Sequence, residues 1–301
     1  ALPIYATELL LQPDHYLLRM LYSQGHGLDT LGIAGTGGSG ADADPAAVWQ
    51  LFADNYHLFR GTPTQMWMDH VFAEVFDLDE RLVAGNGQHF FAEINRQLAT
   101  PAFLPRALFE RFNIEVIATT ESPLDTLAAH RQILEDPWPG RVITAFRPDP
   151  VIDPDFEGFA DNVAELSRLS GEACDTYPGY LAALRERRAY FKRMGATSTD
   201  HGHPSAVTAD LNRAECEKLY HGALAGGLSA EEAEQFRGQM LLEMALMSLD
   251  DGLVMQLHPG VSRNHNLQLF KRYGRDKGAD IPLPGEFVNG LKPLLNRVGN
   301  N

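Results

Sequence analysis

The chain has 301 residues, 44% of them hydrophobic, which is enough to bury a substantial core. Its 25 Lys and Arg against 40 Asp and Glu give a net charge of −15, so the surface repels phosphate and general nucleic-acid binding is disfavoured. No apolar run approaches the roughly 18–20 residues that cross a bilayer, and two cysteines are too few for a disulfide framework. A cytoplasmic protein without a membrane partner is therefore expected.

The first third of the chain is predicted to be entirely helical. Asp44-Pro45 and Thr62-Pro63 each place a capping side chain before a proline at the first helical position, where the missing N–H costs nothing. Amphipathic runs without strand-like alternation predict helices at about 4–24, 45–59, 63–76, 88–99 and 102–112. Residues 1–112 are therefore expected to form one helical region.

A glycine-rich stretch from Gly35 to Gly40 matches the pattern of a dinucleotide-binding turn. No convincing strand precedes it, and Asp42 and Asp44 follow where a pyrophosphate would need positive potential. A flexible linker between helices is therefore the preferred interpretation.

From residue 114 onward, short β-branched runs alternate with long amphipathic ones. Strands are predicted near 114–120, 141–146, 196–200 and 253–257, and a helix near 156–169. Ser122 with Asp125 predicts a capped helix start, and Ser229 with Glu232 predicts another for a helix reaching about Ser248. This alternation indicates parallel strands, in either a doubly wound sheet or a (β/α)8 barrel.

Polar residues follow every predicted strand, and their positions favour the barrel. The strand ends are Thr119-Thr120, Arg147-Pro148-Asp149, Asp200-His201-Gly202-His203 and His258-Pro259-Gly260. In a barrel such ends converge on one mouth, whereas in an open sheet they spread along a crevice. Since a closed barrel needs about eight strands, the four predicted here indicate a partial barrel over residues 113–301.

Several histidines and one aspartate are candidates for chemistry at that mouth. His201 and His203 have the spacing of a metal-binding pair, although a polar turn ended by Pro204 is the preferred interpretation. His258 ends a buried strand and is the stronger single candidate. The spacing does not decide whether Asp200 is a base, a metal ligand or a partner of a histidine.

Arginine side chains offer sites for an anion in this acidic protein. The planar fork of Arg147 can hold a carboxylate, unless it pairs with Asp149 to brace the loop. Arg263 and Asn264 are similarly rich in donors, unless they only cap backbone groups of their loop.

His15 and Tyr16 lie side by side in the first helical stretch, after Asp14. They can transfer protons if they reach the barrel mouth. From the residues alone, a partly buried pair on a helix is the simpler interpretation.

Taken together, these segments resemble the uronate isomerase (glucuronate isomerase) family of the amidohydrolase superfamily. The resemblance runs along almost the whole chain, in short motifs whose order and spacing make the set specific. The matching segments are Asp14-His15-Tyr16 with Arg19, Ile117 to Thr120 with Pro123, Arg147-Pro148-Asp149, Asp200-His201, His258-Pro259-Gly260 with Arg263, Asn264 and Asn266, and Gly274-Arg275-Asp276 with Gly278 and Asp280.

The resemblance implies a fold and a reaction. The family has a (β/α)8 barrel with a helical insertion after the first strand, and this chain corresponds to the insertion and strands two to five. Its members interconvert D-glucuronate with D-fructuronate and D-galacturonate with D-tagaturonate, with one divalent metal, typically Zn²⁺. The main metal ligands are expected outside residues 1–301, and the start at Ala1 and the end at Asn301 predict an internal fragment.

The resemblance also assigns roles to the candidate residues. Arg147 would bind the anionic substrate, together with the donors Arg263 and Asn264, and His258 would be a metal ligand. His15, Tyr16 and Asp200 would be catalytic, because a proton must move from C2 to C1 of the sugar. His203 has no counterpart across the family, which weakens the prediction of a His201–His203 metal pair.

Two other functions stay open at this point. The same barrel mouth could activate water, as in a metal-dependent hydrolase of the superfamily. Alternatively, the chain is an inactive partial barrel with unpaired strand edges. The sequence does not decide between a monomer and a homo-oligomer.

Overall fold

A computed structural model describes residues 4–38, 42–277 and 279–299. The chain divides into two compact units, Ala1–Ile114 with Ser262–Ile281 and Glu115–Val261 with Pro282–Asn301. The predictions that involve Ala1, Ser39, Gly40, Gly278 and Asn301 fall outside the described residues. None of the helices in the described part is long and apolar enough to cross a membrane.

The first third is helical, as predicted. Its α-helices are α1 Ala6–Leu10, α2 His15–Ser23, α3 Pro45–Asp54, α4 Pro63–His70, α5 Gly87–Leu98 and α6 Pro105–Arg111. Asp44 caps α3 by accepting the Ala46 amide, and Thr62 caps α4 by accepting the Gln65 amide. The predicted helix 45–59 ends early, at Asp54, and a 3-10 turn Tyr56–Phe59 completes it.

From residue 117 the chain alternates strands and helices. In chain order the elements are β1 Ile117–Glu121, α7 Ala128–Glu135, β2 Val142–Phe146, α8 Asp149–Ile152, α9 Phe159–Ser170, α10 Tyr177–Arg193, β3 Ser198–His201, α11 Arg213–Leu224, α12 Ala230–Asp251, β4 Val254–Leu257, β5 Val261–Ser262, α13 Leu267–Tyr273, β6 Ile281–Pro282 and α14 Lys292–Val298. The four strands predicted from the sequence are all present. The protein is therefore of the mixed α/β class.

The four main strands form one parallel sheet in the order β1-β2-β3-β4. In its register, Thr119 lies opposite Thr144 and Asp200 opposite Gln256. Because neighbouring strands run in the same direction, their carboxyl ends lie at one edge of the sheet. The short strands β5 and β6 pair with each other.

Helix starts were predicted with mixed success. The capping box of Ser229 and Glu232 is confirmed at the start of α12. The start predicted at Ser122 is wrong, because its hydroxyl accepts the Leu124 amide in a turn and α7 begins only at Ala128. Helices α10 and α11 were missed, although Thr176 and Asn212 cap them.

Each unit has its own apolar core. In the first unit, Trp49, Phe52, Phe72 and Phe90 are fully buried among the helices. In the second, Phe146 of the sheet packs among residues of α9, α10 and α12. Met255 of β4 packs against this core, whereas its neighbour Val254 is 64% exposed. Since successive strand residues point to opposite faces, one face of the sheet is covered by helices and the other is open along β4.

Candidate active site

The carboxyl ends of β2, β3 and β4 bring together three of the predicted site residues, Arg147, Asp200 and His258. Arg147 follows β2 directly, Asp200 lies in β3, and His258 follows β4. The backbone continues the sheet there, since the His258 amide donates to the His201 carbonyl at 3.1 Å. The parallel topology is therefore what places these distant residues side by side.

Asp200 links the other two side chains. Its Oδ1 lies 2.6 Å from Nε2 of His258, and its Oδ2 lies 3.4 Å from Nη1 of Arg147. Arg147 also donates from Nε to Oδ2 of Asp149 at 3.0 Å. The predicted alternative of an Arg147–Asp149 pair is thus present together with the contact to Asp200.

The cluster is open to solvent on the side of the arginine and the histidine. The side chains of Arg147 and His258 are 32% and 42% exposed, whereas those of Asp149 and Asp200 are 11% and 13% exposed. A ligand can therefore reach the guanidinium and the imidazole, while the two carboxylates lie below them. This arrangement can bind a carboxylate and hold a proton between Asp200 and His258.

The two remaining histidines of the β3 end are buried. Nε2 of His201 lies 3.0 Å from the Thr199 hydroxyl. Among the described residues, Nδ1 of His201 and both ring nitrogens of His203 have no hydrogen-bond partner. Burial lowers the pKa of His203 and lowers that of His201 well below its ordinary range. Both imidazoles are therefore neutral at pH 7.

The metal that the sequence predicts needs several converging ligands. Within residues 4–38, 42–277 and 279–299, no group of three or more His, Cys, Asp and Glu side chains could hold a metal ion. His258 instead makes a direct contact with Asp200, 2.6 Å away. The described residues of this chain therefore do not fit a metal centre on their own.

A second polar cluster, at β1, was not predicted. Nε2 of His130, in α7, lies 2.8 Å from the Thr119 hydroxyl and 3.8 Å from the Glu121 carboxylate. The Thr144 hydroxyl of β2 also donates to Glu121. The alternation of Thr119 and Glu121 along β1 was a signal for it, whereas the helix that carries His130 begins at Ala128 and not at the predicted Ser122.

His15 and Tyr16 lie at the start of α2, in the first unit. Asp14 caps this helix by accepting the amides of Tyr16 and Leu17. The two rings are 4.3 Å apart, and Tyr16 is 63% exposed, so its hydroxyl is accessible. A cavity of about 540 Å³ adjoins it, lined by Tyr16, Arg19, Met20, Phe59 and Trp67 among others.

Arg263 and Asn264 also belong to the first unit, where both contact Asp280. Nη1 of Arg263 lies 3.4 Å from Oδ2 of Asp280, and the backbone amide of Asn264 donates to Oδ1 of Asp280 at 3.0 Å. Asn264 has a positive φ of 52°, a conformation that asparagine tolerates better than most residues. The Asp280 carboxylate therefore holds this loop, because it pairs with the Arg263 side chain and accepts the Asn264 backbone amide.

Comparison with known proteins gives a consistent result. A sequence model of the glucuronate isomerase family matches residues 5–301. Curated uronate isomerases from Xanthomonas axonopodis pv. citri and Rhizorhabdus wittichii are 60% and 61% identical over 296 residues, or 98% of this chain. The chain spans 63% and 62% of their respective lengths.

Two solved structures are similar to almost all of the chain. The glucuronate isomerase of Caulobacter crescentus has a TM-score of 0.95 and 53% identity, over 99% of this chain and 62% of that protein. The uronate isomerase of Thermotoga maritima has a TM-score of 0.87 and 25% identity, over 96% of this chain and 62% of that protein. The family resemblance seen in the sequence motifs is thereby confirmed, and the chain belongs to the glucuronate isomerase family.

Proposed function

We propose that this chain is the larger part of a uronate isomerase that interconverts D-glucuronate with D-fructuronate and D-galacturonate with D-tagaturonate. The observation that carries the proposal is the Arg147–Asp200–His258 cluster at the strand ends, in a chain of this family. In this cluster the Arg147 guanidinium can bind a sugar carboxylate, and Asp200 and His258 form an acid–base pair. The proposed substrate is therefore a small hexuronate.

The proposed fold of the complete protein is a (β/α)8 barrel. In it, β1 to β4 are strands two to five, residues 1–112 are the helical insertion, and residues 113–301 are the partial barrel. The parallel strand order, the intervening helices and the exposed Val254 support this arrangement, because the open sheet face would become the barrel interior.

Arg147 is the proposed anchor for the substrate carboxylate, because its partly exposed guanidinium can make a charge-assisted pair. Arg263 and Asn264 are proposed to add donors to the substrate. Asp280 contacts Nη1 of Arg263 and the backbone amide of Asn264, and a guanidinium has further N–H donors that can reach a ligand.

Isomerisation requires a proton to leave C2 and reach C1 of the open-chain sugar. Tyr16 with His15 is the proposed carrier of this proton, supported by the match of their segment to the family motif and by the exposed Tyr16 ring. Asp200 is proposed to hold a proton with His258 beside the sugar hydroxyls, since their contact is 2.6 Å.

A divalent metal, Zn²⁺ in this proposal, belongs to the complete protein, with His258 as one proposed ligand. The described residues do not form its site, so the steps above use only the side chains of this chain. A cytoplasmic location is also proposed, since Cys174 and Cys216 are both free and buried.

The test uses the 301-residue chain and a chimaera in which residues 1–301 replace the matching segment of the Xanthomonas axonopodis protein. We expect the chimaera to isomerise D-glucuronate, with deuterium at C2 moving to C1 or to solvent. Tyr16→Phe should lower kcat at least about 100-fold, whereas Tyr22→Phe on the same helix should not. A folded chimaera that isomerises no hexuronate would overturn the proposal.

A further inference from the structure

We propose that Asp149 is the positioning residue that fixes the guanidinium of Arg147 for a substrate carboxylate. The inference rests on the proposed function, because it assumes that Arg147 binds a hexuronate. Asp149 itself does not need to touch the substrate. Its role is to hold one edge of the guanidinium so that the other edge faces the ligand.

The carboxylate of Asp149 is buried and held at several points. The residue is 8% exposed, and Oδ2 accepts Nε of Arg147 at 3.0 Å. The amide of Gly202 lies 3.2 Å from Oδ1 and 3.1 Å from Oδ2. Nε2 of the buried His203 is 3.8 Å from Oδ1. Such a carboxylate has little freedom to move, so it can define where the arginine points.

Asp149 occupies only the Nε side of the arginine. The Nη1 side contacts Asp200 at 3.4 Å, which is long for a charge-assisted bond. A substrate carboxylate can replace that weaker contact while Asp200 keeps His258 at 2.6 Å. The guanidinium would then have a fixed carboxylate on one edge and an exchangeable one on the other.

Gly202 connects this anchor to the strand that carries Asp200. Its backbone amide donates the hydrogen bond that Asp149 accepts. A Cβ at Gly202 would lie 2.5 Å from Nη2 of Arg147 and 3.0 Å from Oδ2 of Asp149. No side chain fits there without displacing the guanidinium. The hydrogen bond from the Gly202 amide to Asp149 therefore joins the segments that follow β2 and β3.

The test is Asp149→Asn in the chimaera, with Asp153→Asn as the matched control. Asp153 is a nearby, largely buried carboxylate, but it pairs with Arg237 at 3.0 Å. We expect Asp149→Asn to raise KM for D-glucuronate about tenfold or more with kcat nearly unchanged, because carboxylate binding is the same in ground and transition states. Asp153→Asn should leave both constants within about twofold of the wild type.

Binding alone gives a second measurement. D-glucarate has carboxylates but no carbonyl to isomerise, and calorimetry should show the same tenfold weakening in Asp149→Asn. In an Arg147→Met background, Asp149→Asn should change D-glucarate binding less than about twofold, because the residue acts through Arg147. An equal loss in both backgrounds would indicate a merely structural role and overturn the inference.

A measurement independent of the substrate separates the possible failures. The Gly202 amide proton should resonate far downfield in the wild type and move upfield in Asp149→Asn, because its acceptor loses its charge. An active wild type with an unchanged KM in Asp149→Asn overturns the positioning role alone. A wild type that neither binds nor isomerises a hexuronate overturns the proposed function and this inference with it, even if the Gly202 shift is present.

Discussion

Arg188 and Asp251 form a bidentate ion pair that joins α10 to the end of α12. Nε of Arg188 lies 2.6 Å from Oδ2 of Asp251, and Nη2 lies 2.9 Å from Oδ1. The arginine side chain is only 1% exposed, and its guanidinium lies 5.7 Å from the centre of the Phe146 ring. The charge is therefore buried against the sheet and balanced by the Asp251 carboxylate.

Replacing Arg188 by methionine should destabilise the second unit. The change keeps an apolar stem but leaves Asp251 without its partner, and we expect the free energy of unfolding to fall by about 3 kcal/mol. Arg193→Met is the control, because Arg193 is largely exposed and 3.6 Å from Glu186, and it should cost less than about 1 kcal/mol. Urea denaturation measures both, and equal losses would contradict the prediction.

The buried histidines predict how stability depends on pH. Burial lowers the pKa of His201 well below its ordinary 6.5 and also lowers that of His203. Below pH 6.5 the unfolded chain therefore binds protons that the folded protein does not. Stability is complete above that pH and falls as the pH drops toward the folded pKa values, by up to about 1.4 kcal/mol per pH unit for each histidine.

Urea denaturation between pH 7.5 and 5 measures this dependence. We expect the free energy of unfolding of His201→Gln to depend less steeply on pH below pH 6.5, because glutamine does not titrate. A wild-type slope in His201→Gln would contradict the assignment of a neutral buried imidazole.

Gly202→Ala should damage the candidate site directly. The new Cβ would lie 2.5 Å from Nη2 of Arg147 and 3.0 Å from Cε1 of His258, so one of these side chains must move. We expect D-glucarate binding to weaken at least about tenfold and the free energy of unfolding to fall by about 1–3 kcal/mol. Gly227→Ala is the control, since apart from Gly227 and its two chain neighbours no atom of the described residues lies within 4 Å of the position that its added methyl group would take. Unchanged binding in Gly202→Ala would contradict the described packing.

Trp49→Phe tests the core of the first unit. Trp49 is fully buried, and its Nε1 donates to the Gly87 carbonyl at 3.0 Å. Phenylalanine leaves that carbonyl unpaired and a small cavity beside it, which should cost about 2 kcal/mol. Trp67→Phe, at a 62% exposed position, should change stability by less than about 0.5 kcal/mol. Thermal or urea unfolding distinguishes the two, and similar losses would contradict the prediction.

Local signals in the sequence were sufficient for much of the secondary structure. The caps at Asp44, Thr62 and Ser229 are confirmed because each uses a side chain and amides only a few residues away. The start predicted at Ser122 is wrong because its hydroxyl caps a turn, and Leu127 enters α7 with a positive φ of 52°. The spacing of Ser122 and Asp125 is compatible with a turn as well as with a helix start, so this spacing alone could not distinguish the two.

The sequence by itself determined the class of the protein, its four parallel strands, and the polar residues at their ends, because periodicity and capping are local properties. It also carried the family resemblance. Only the tertiary structure decided which of those residues meet: Asp200 contacts Arg147 and His258, whereas His201 and His203 are buried. Adjacent strand residues point to opposite faces, and which face the helices cover depends on packing between segments far apart in the chain.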